Sequence, residues 1–328
     1  MSAAIEDNLD QFIKTVGTFQ SMKGSLDTNF FNGLKTIVNK AMKQVSDHTG
    51  EYLHNLHKHQ PDEDTLLKII DNVPSCLSYE DAYGNLPIIS AVVSEESVQY
   101  VPLLAKEGVK HNVGGDDARG GLLLGGHNVL RLLTFMDRGI MGDPLYLDGM
   151  KKLRESKLLL REDIQDHDLL LFACTPASSM RFEFLIGWCP EGLKTHQYDG
   201  LPLIHARIKY YSIECFSIFL KTALKHHPND LGLLFLKDDE GQTACERAFK
   251  MYENDKTMAA IGALIPFDDP KLPILHHVAM HAPQYMRDFG RRYPSATYFR
   301  DSQGRTLHQA TLENGYKTFI DDPMFSLK

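Results

Sequence analysis

One short phrase recurs along this chain, and a sequence that repeats a unit of thirty to forty residues folds by stacking copies of that unit. The phrase is Leu86-Pro-Ile-Ile-Ser-Ala91, then Leu201-Pro-Leu-Ile-His-Ala206, with Thr243-Ala-Cys-Glu-Arg-Ala248 and Arg305-Thr-Leu-His-Gln-Ala310 further on. Weaker copies stand at Asp168-Leu-Leu-Leu-Phe-Ala173, Pro273-Ile-Leu-His-His-Val278 and His127-Asn-Val-Leu-Arg-Leu132. The closing residues 91, 132, 173, 206, 248, 278 and 310 are spaced by 41, 41, 33, 42, 30 and 32. A turn signal precedes four of the phrases: Asp81 to Gly84, Tyr198-Asp199-Gly200, Asp238 to Gly241 and Asp301 to Gly304. In each the glycine is suited to the positive φ of a tight turn. A proline lies ten residues before three of these glycines, at Pro74, Pro190 and Pro294.

Two short helices cannot cover their own apolar face, so neighbouring units must bury it, and small residues such as Ala91, Ala173, Ala206, Ala248 and Ala310 let adjacent helices approach closely. The order of turn, Leu-Pro-Leu-x-x-Ala and a second apolar helix resembles the ankyrin repeat with its T-P-L-H-x-A opening. The stretch Val101-Pro-Leu-Leu-Ala-Lys-Glu-Gly108-Val-Lys-His-Asn112 is similar to the helix that ends such a repeat, and only the apolar face persists in Phe182 to Ile186, Phe216 to Leu220 and Ile261 to Ile265. The resemblance covers roughly residues 65 to 320; spacing is irregular, leucine usually replaces the threonine, and the histidine, whose side chain in such repeats ties the turn to its neighbour, stands in place at His276 and His308. It implies an all-α fold, an ankyrin-like helical-repeat solenoid of about seven degenerate repeats over 61–320, and binding of another protein.

Outside the repeats, Ile5, Leu9, Phe12, Ile13, Val16 and Phe19 fall on one helical stripe, and Phe30, Phe31, Leu34, Ile37, Val38, Met42 and Val45 on a second. Gly24 separates the two and Asp27 is placed to cap the second. Residues 1–60 are therefore expected to form an N-terminal helical cap over the first repeat, with a partner-binding hairpin as the alternative. Gly114, Gly115, Gly120, Gly121, Gly125 and Gly126 crowd around Asp116 to Arg119, which predicts a mobile inter-repeat insertion near 113–150, extended by Asp137 to Asp148. No Gly-Lys-Ser/Thr phosphate loop occurs there. Residues 321–328 read as a C-terminal tail.

The formal charge is −8, from 43 acidic and 35 basic residues, so there is no global positive field for nucleic acid or anionic lipid. The opening residues do not read as a signal peptide, and no run of about 18 apolar residues suggests a membrane span. Five scattered cysteines without a C-x-x-C fit reduced, buried thiols, and the expected location is cytoplasmic or nuclear.

Chemistry-bearing residues give weaker signals. His277 and His281 share a helical face beside His276, but Val278 stands where a zinc-protease glutamate would be. His54, His57 and His59 with Asp62, Glu63 and Asp64 read as a solvated connection, and His226-His227 as a helix end. No G-x-S-x-G elbow occurs, Cys189 between Trp188 and Pro190 reads as packing, and Asp238-Asp239-Glu240 as turn hydrogen bonding. Neither a catalytic residue nor a cofactor or metal site is expected. The candidate partner contacts are the turn-tip residues Tyr83, Asn85, Gln197, Tyr198, Gln303 and Arg305, with first helices lining a concave face. Two other readings remain open: a metal or small-molecule site in the His276–His308 region, and nucleic-acid binding through Arg287, Arg291, Arg292, Arg300 and Arg305 among Tyr285, Tyr293, Tyr298 and Phe299.

Overall fold

The computed structural model describes residues 28–125, 128–136, 143–265, 274–301 and 303–313, and these are mostly helical. The chain divides into two compact units, Met1–Leu124 and Gly125–Lys328. In the first, α1 (Thr28–His54) carries the second apolar stripe; the first stripe, Gly24 and Asp27 lie outside the described residues. Helix α1 packs against the 3₁₀ turn Pro74–Ser78 and against α3 (Pro87–Val93), the first repeat phrase, whose Pro87 sits in the opening turn where its missing N–H is no loss. Between them runs α2 (Glu63–Asn72), capped by the Asp62 carboxylate on the Thr65 N–H at 2.8 Å. The repeat closes with α4 (Val101–Lys110).

Two expectations in this unit need correction. His54 is not part of a solvated connection: its Nε2–H donates to the Tyr79 carbonyl at 3.0 Å and its Nδ1 accepts from the Ser90 hydroxyl at 2.6 Å, which ties α1 to the first turn and to α3. The glycine-rich stretch is not a loose insertion over residues 113–124, where Val113, Ala118 and Leu122 are buried. Its glycines serve close approach, since a Cβ on Gly120, at φ +67, would stand 2.1 Å from the Ala105 carbonyl oxygen. The unit boundary at Leu124/Gly125 falls within the 113–150 segment, and residues 137–142 lie outside the described ones.

The second unit alternates phrase helices with partner helices: α5 (Val129–Phe135) and α6 (Asp143–Glu155), α7 (Leu169–Ala173) and α8 (Ser179–Trp188), α9 (Leu203–Tyr210) and α10 (Ile213–His226). Then follow α11 (Ala244–Met251) and α12 (Asn254–Leu264), α13 (Ile274–His281) and α14 (Met286–Arg292), and α15 (Leu307–Glu313). Every phrase read from the sequence is thus a short helix. Local chemistry starts them: Asn128 accepts from the Arg131 N–H at 2.9 Å, and Thr243 and Glu246 form a reciprocal capping box. Phrase helices touch phrase helices, α5 with α7, α9 with α11 and α13 with α15, while α6 touches α8 and α10 touches α12. At these contacts Ala173, Ala206, Ala248, Val278 and Ala310 are fully buried.

The recurring prolines end helices. Val73, Cys189 and Tyr293 each donate an N–H four residues back and take φ near −130° before Pro74, Pro190 and Pro294. His227 does the same before Pro228, thirteen rather than ten residues ahead of Gly241. The longer connection, with Leu231 and Gly232 at positive φ, adds three residues to the spacing before Ala248.

One ion pair sits deep in this unit. Arg181, 1% exposed, donates from Nε to Asp143 Oδ1 at 2.7 Å, from Nη1 to the Leu133 carbonyl at 2.6 Å and from Nη2 to the Met136 and Ala177 carbonyls at 3.1 Å. Asp143 Oδ2 accepts from the Met180 N–H at 2.8 Å, so one guanidinium joins α5, α6 and α8. Replacing Arg181 by leucine strands the buried Asp143 charge and is expected to cost about 3–5 kcal/mol in urea unfolding. The double replacement Arg181→Leu/Asp143→Leu should recover part of that loss.

Candidate functional site

Three turns share one construction. Asp81 accepts at Oδ1 from the Tyr83 and Asn85 N–H groups at 2.8 and 2.9 Å, its own N–H donates to the Asn85 carbonyl at 3.0 Å, and the Gly84 N–H returns to the Asp81 carbonyl at 3.0 Å. Asp238 repeats this with Glu240, Gln242 and Gly241, and Asp301 with Gln303, Arg305 and Gly304. The glycines take φ of +76, +78 and +75°. In all three aspartates burial alone would raise the carboxyl pKa, but the donated hydrogen bonds outweigh it and hold the group below the usual carboxylate range. Arg247 adds to this at Asp238, and Arg305 at Asp301. The Gln197–Leu201 turn is built otherwise. Gln197 stands where the aspartate would be, and β1 (Gln197–Tyr198) pairs antiparallel with β2 (Leu201–Pro202) through Asp199 and Gly200 at φ of +53 and +71°.

Histidines bolt two of these turns to the preceding phrase helix. His205 of α9 donates its Nε2–H to the Gln242 carbonyl at 3.0 Å, and His276 of α13 donates to the Arg305 carbonyl at 3.1 Å. A carbonyl only accepts, so each ring is fixed as the Nε2–H tautomer. Burial lowers both pKa values, with the carbonyl bond opposing it, so the rings are neutral at pH 7. The role expected for His276 is present. His308, expected to share it, is exposed, and His205 fills the equivalent place, three residues after Pro202 as His276 is after Pro273.

The candidate contact residues fall into two groups. Tyr83 is 89% exposed and Gln303 is exposed, each at a tip with its side chain outside the turn's hydrogen bonds. Gln197 is exposed on β1, and Tyr198 packs edge-on to Tyr210 at 5.9 Å. Asn85 Nδ2 donates to Asp81 Oδ2 at 3.2 Å and Arg305 Nε donates to Asp301 Oδ2 at 2.7 Å, so these two side chains serve the turn beneath the tip. Tyr83 and Asn85 belong to the first unit and the others to two separate turns of the second. The exposed acidic pair Asp239 and Glu240 occupies the tip between them in sequence, a position that the turn signal marks.

The other readings meet mixed geometry. In the arginine patch Tyr293 is buried and Tyr285 stacks on Phe249 at 4.1 Å, so neither ring is open for base stacking, whereas Tyr298 is 75% exposed. Arg300 donates to the Gly304 carbonyl at 2.7 Å. His277 and His281 line a cleft of about 210 Å³ with Leu233, Phe235, Leu236, Lys194 and Asp230. The Phe235 ring lies 5.8 Å from His277 and 6.0 Å from His281, and a Lys194–Asp230 ion pair of 3.5 Å belongs to the same lining. Among the described residues no third metal-ligating group gathers with the two imidazoles. Lys194, Asp230 and Phe235 come from distant segments, and no spacing in the sequence links them to α13.

Cys189 is buried and its thiol meets Glu191 at 3.1 Å; burial and that carboxylate push its pKa up, which disfavours a thiolate. Burial likewise pushes Cys76 to about 12 and Cys174 to about 11. No family model, no curated protein and no solved structure matches this chain.

The cleft predicts a pH response. Burial, then the neighbouring His281 and His276, pushes His277 down to about 4, against an unfolded value near 6.5. The unfolded chain therefore takes up a proton that the folded one refuses, so stability is full above about pH 6.5 and falls as pH drops toward 4, by roughly 3 kcal/mol from this residue. His205, His276 and His281 act in the same direction. Urea unfolding at pH 7 and pH 4.5 should show the decline, and His277→Gln should flatten it.

Proposed function

We propose that this chain is a non-catalytic binding module of ankyrin-like repeats that engages a protein partner through the tips of its turns. The observation that carries this reading is the division of labour within each turn. In the three aspartate turns the carboxylate and the i+4 residue hold the backbone, joined in the Asp238 and Asp301 turns by a histidine from the preceding phrase helix, while the tip side chains, Tyr83 above all, take no part in holding it. A rigid backbone with free side chains lowers the ordering cost of binding, and an exposed tyrosine brings large contact area with two rotatable angles. No helix among the described residues is long and apolar enough to cross a membrane, and a membrane partner is not proposed.

A second reading has its own support in the 210 Å³ cleft between His277, His281 and Phe235, where Leu233, Phe235 and Leu236 offer apolar contact and Lys194, Asp230 and the two imidazoles offer polar partners to a small molecule. Nucleic-acid binding is not carried forward, because two of the patch aromatics are spent on packing.

Photo-crosslinking distinguishes the two readings. A benzoylphenylalanine at position 83, 240 or 303 should give a discrete crosslinked protein in cells, while one at exposed Lys221 on α10 should not. The combined replacement Tyr83→Ala/Gln303→Ala should abolish capture by an affinity-tagged chain and change unfolding free energy by less than about 0.5 kcal/mol, as exposed substitutions do. Equal crosslinking at all positions, or capture that survives the replacement, would overturn the turn-tip reading.

A further inference from the structure

We infer that Asp71, Glu107 and His111 form a binding site for a divalent transition-metal ion of the zinc type, which would clamp α2 to the end of α4. The three residues lie in the first unit, apart from the turn tips and from the cleft. Asp71 stands in the last turn of α2, Glu107 in the last turn of α4, and His111 one helical turn after Glu107, on the same face. Each offers one ligand atom, and the three atoms all lie within 4.8 Å of one another. Zinc bonds of about 2.0–2.2 Å to nitrogen and oxygen place two ligand atoms on one ion roughly 3–4 Å apart, so a small side-chain adjustment closes the set.

Two features go beyond simple clustering. The His111 Nε2 is buried without a hydrogen-bond partner and lies 3.9 Å from Glu107 Oε2, too far for a hydrogen bond and within the distance that a shared ion spans. Glu107 is only 5% exposed, so its carboxylate has already given up most of its water and is primed for a cation. The place is filled by a cation from the chain itself: the Lys110 ammonium sits 2.8 Å from Asp71 Oδ1 and 2.9 Å from Glu107 Oε2. Its side chain is 53% exposed, so it can leave for water along its flexible stem. A mixed set of one imidazole and two carboxylates favours zinc and its neighbours over calcium or magnesium, which take oxygen ligands. With the Asp71 side chain 58% exposed, water can complete the coordination shell.

The role of Lys110 makes the test decisive, because a metal site and a purely structural ion pair respond to its removal in opposite ways. Zinc chloride titrated calorimetrically into the full chain should reveal a site that His111→Ala and Glu107→Gln each weaken at least tenfold. Lys110→Ala, which removes the internal competitor, should tighten it several-fold, and zinc should raise the melting temperature of that variant more than that of the native chain. Circular dichroism checks folding, and if Glu107→Gln fails to fold, the half-buried His111→Ala decides. The inference is overturned if neither the native chain nor Lys110→Ala binds zinc. It is equally overturned if binding is unchanged in His111→Ala, which would place the ion on other imidazoles such as His277 and His281.

Discussion

The helices of this protein are too short to stand alone. Apart from α1, the labelled helices run from five to fourteen residues, below or at the length at which an isolated helix becomes marginal in water. Each must borrow stability from a neighbour, and in the second unit phrase helix meets phrase helix and partner helix meets partner helix. The fully buried alanines at 173, 206, 248 and 310 follow from that requirement, because a bulky side chain there would hold the backbones apart.

Close stacking of short helices brings many helix ends, turns and polar groups into the interior, and the chain answers with repeated polar devices. The turn aspartate satisfies two N–H groups, a histidine from the preceding phrase helix satisfies a turn carbonyl, and Arg181 satisfies three carbonyls as well as Asp143. Arg207, fully buried, lays its guanidinium over the Tyr211 ring at 4.0 Å and donates to the Cys174 carbonyl. The histidines do this work as neutral rings held below their ordinary pKa and the aspartates as carboxylates held below theirs, so acid weakens both kinds of tie.

The same construction separates structural from available side chains. At one turn Asn85 binds Asp81 while Tyr83, two residues away, projects into solvent; at another Arg305 binds Asp301 while Gln303 is free of the turn's bonds. Residue type alone does not separate them, since Asn85 and Arg305 are as polar as any partner contact. What distinguishes them is the i+4 position, from which a side chain folds back onto the carboxylate. A partner that reads these turns would find a backbone already set, and the variable part would be the two or three residues at each tip.

The sequence by itself determined the repeat, the helices at all seven phrases, the positive-φ glycines and the turn role of Asp238, because each depends on residues within five or six positions of one another. The resemblance of its phrase to T-P-L-H-x-A also marked His276 as a tie between a turn and its neighbour. It misjudged His54 and the 113–124 glycines, which looked solvated or loose until α1, Ala105 and the first turn came to lie against them. Only the tertiary structure decided which tip side chains are free, and only it gathered Phe235 and Asp230 beside His277, or Asp71 beside Glu107 and His111. Those groupings join segments 36 to 47 residues apart, and no local spacing carries information about a distance set by how the helices stack.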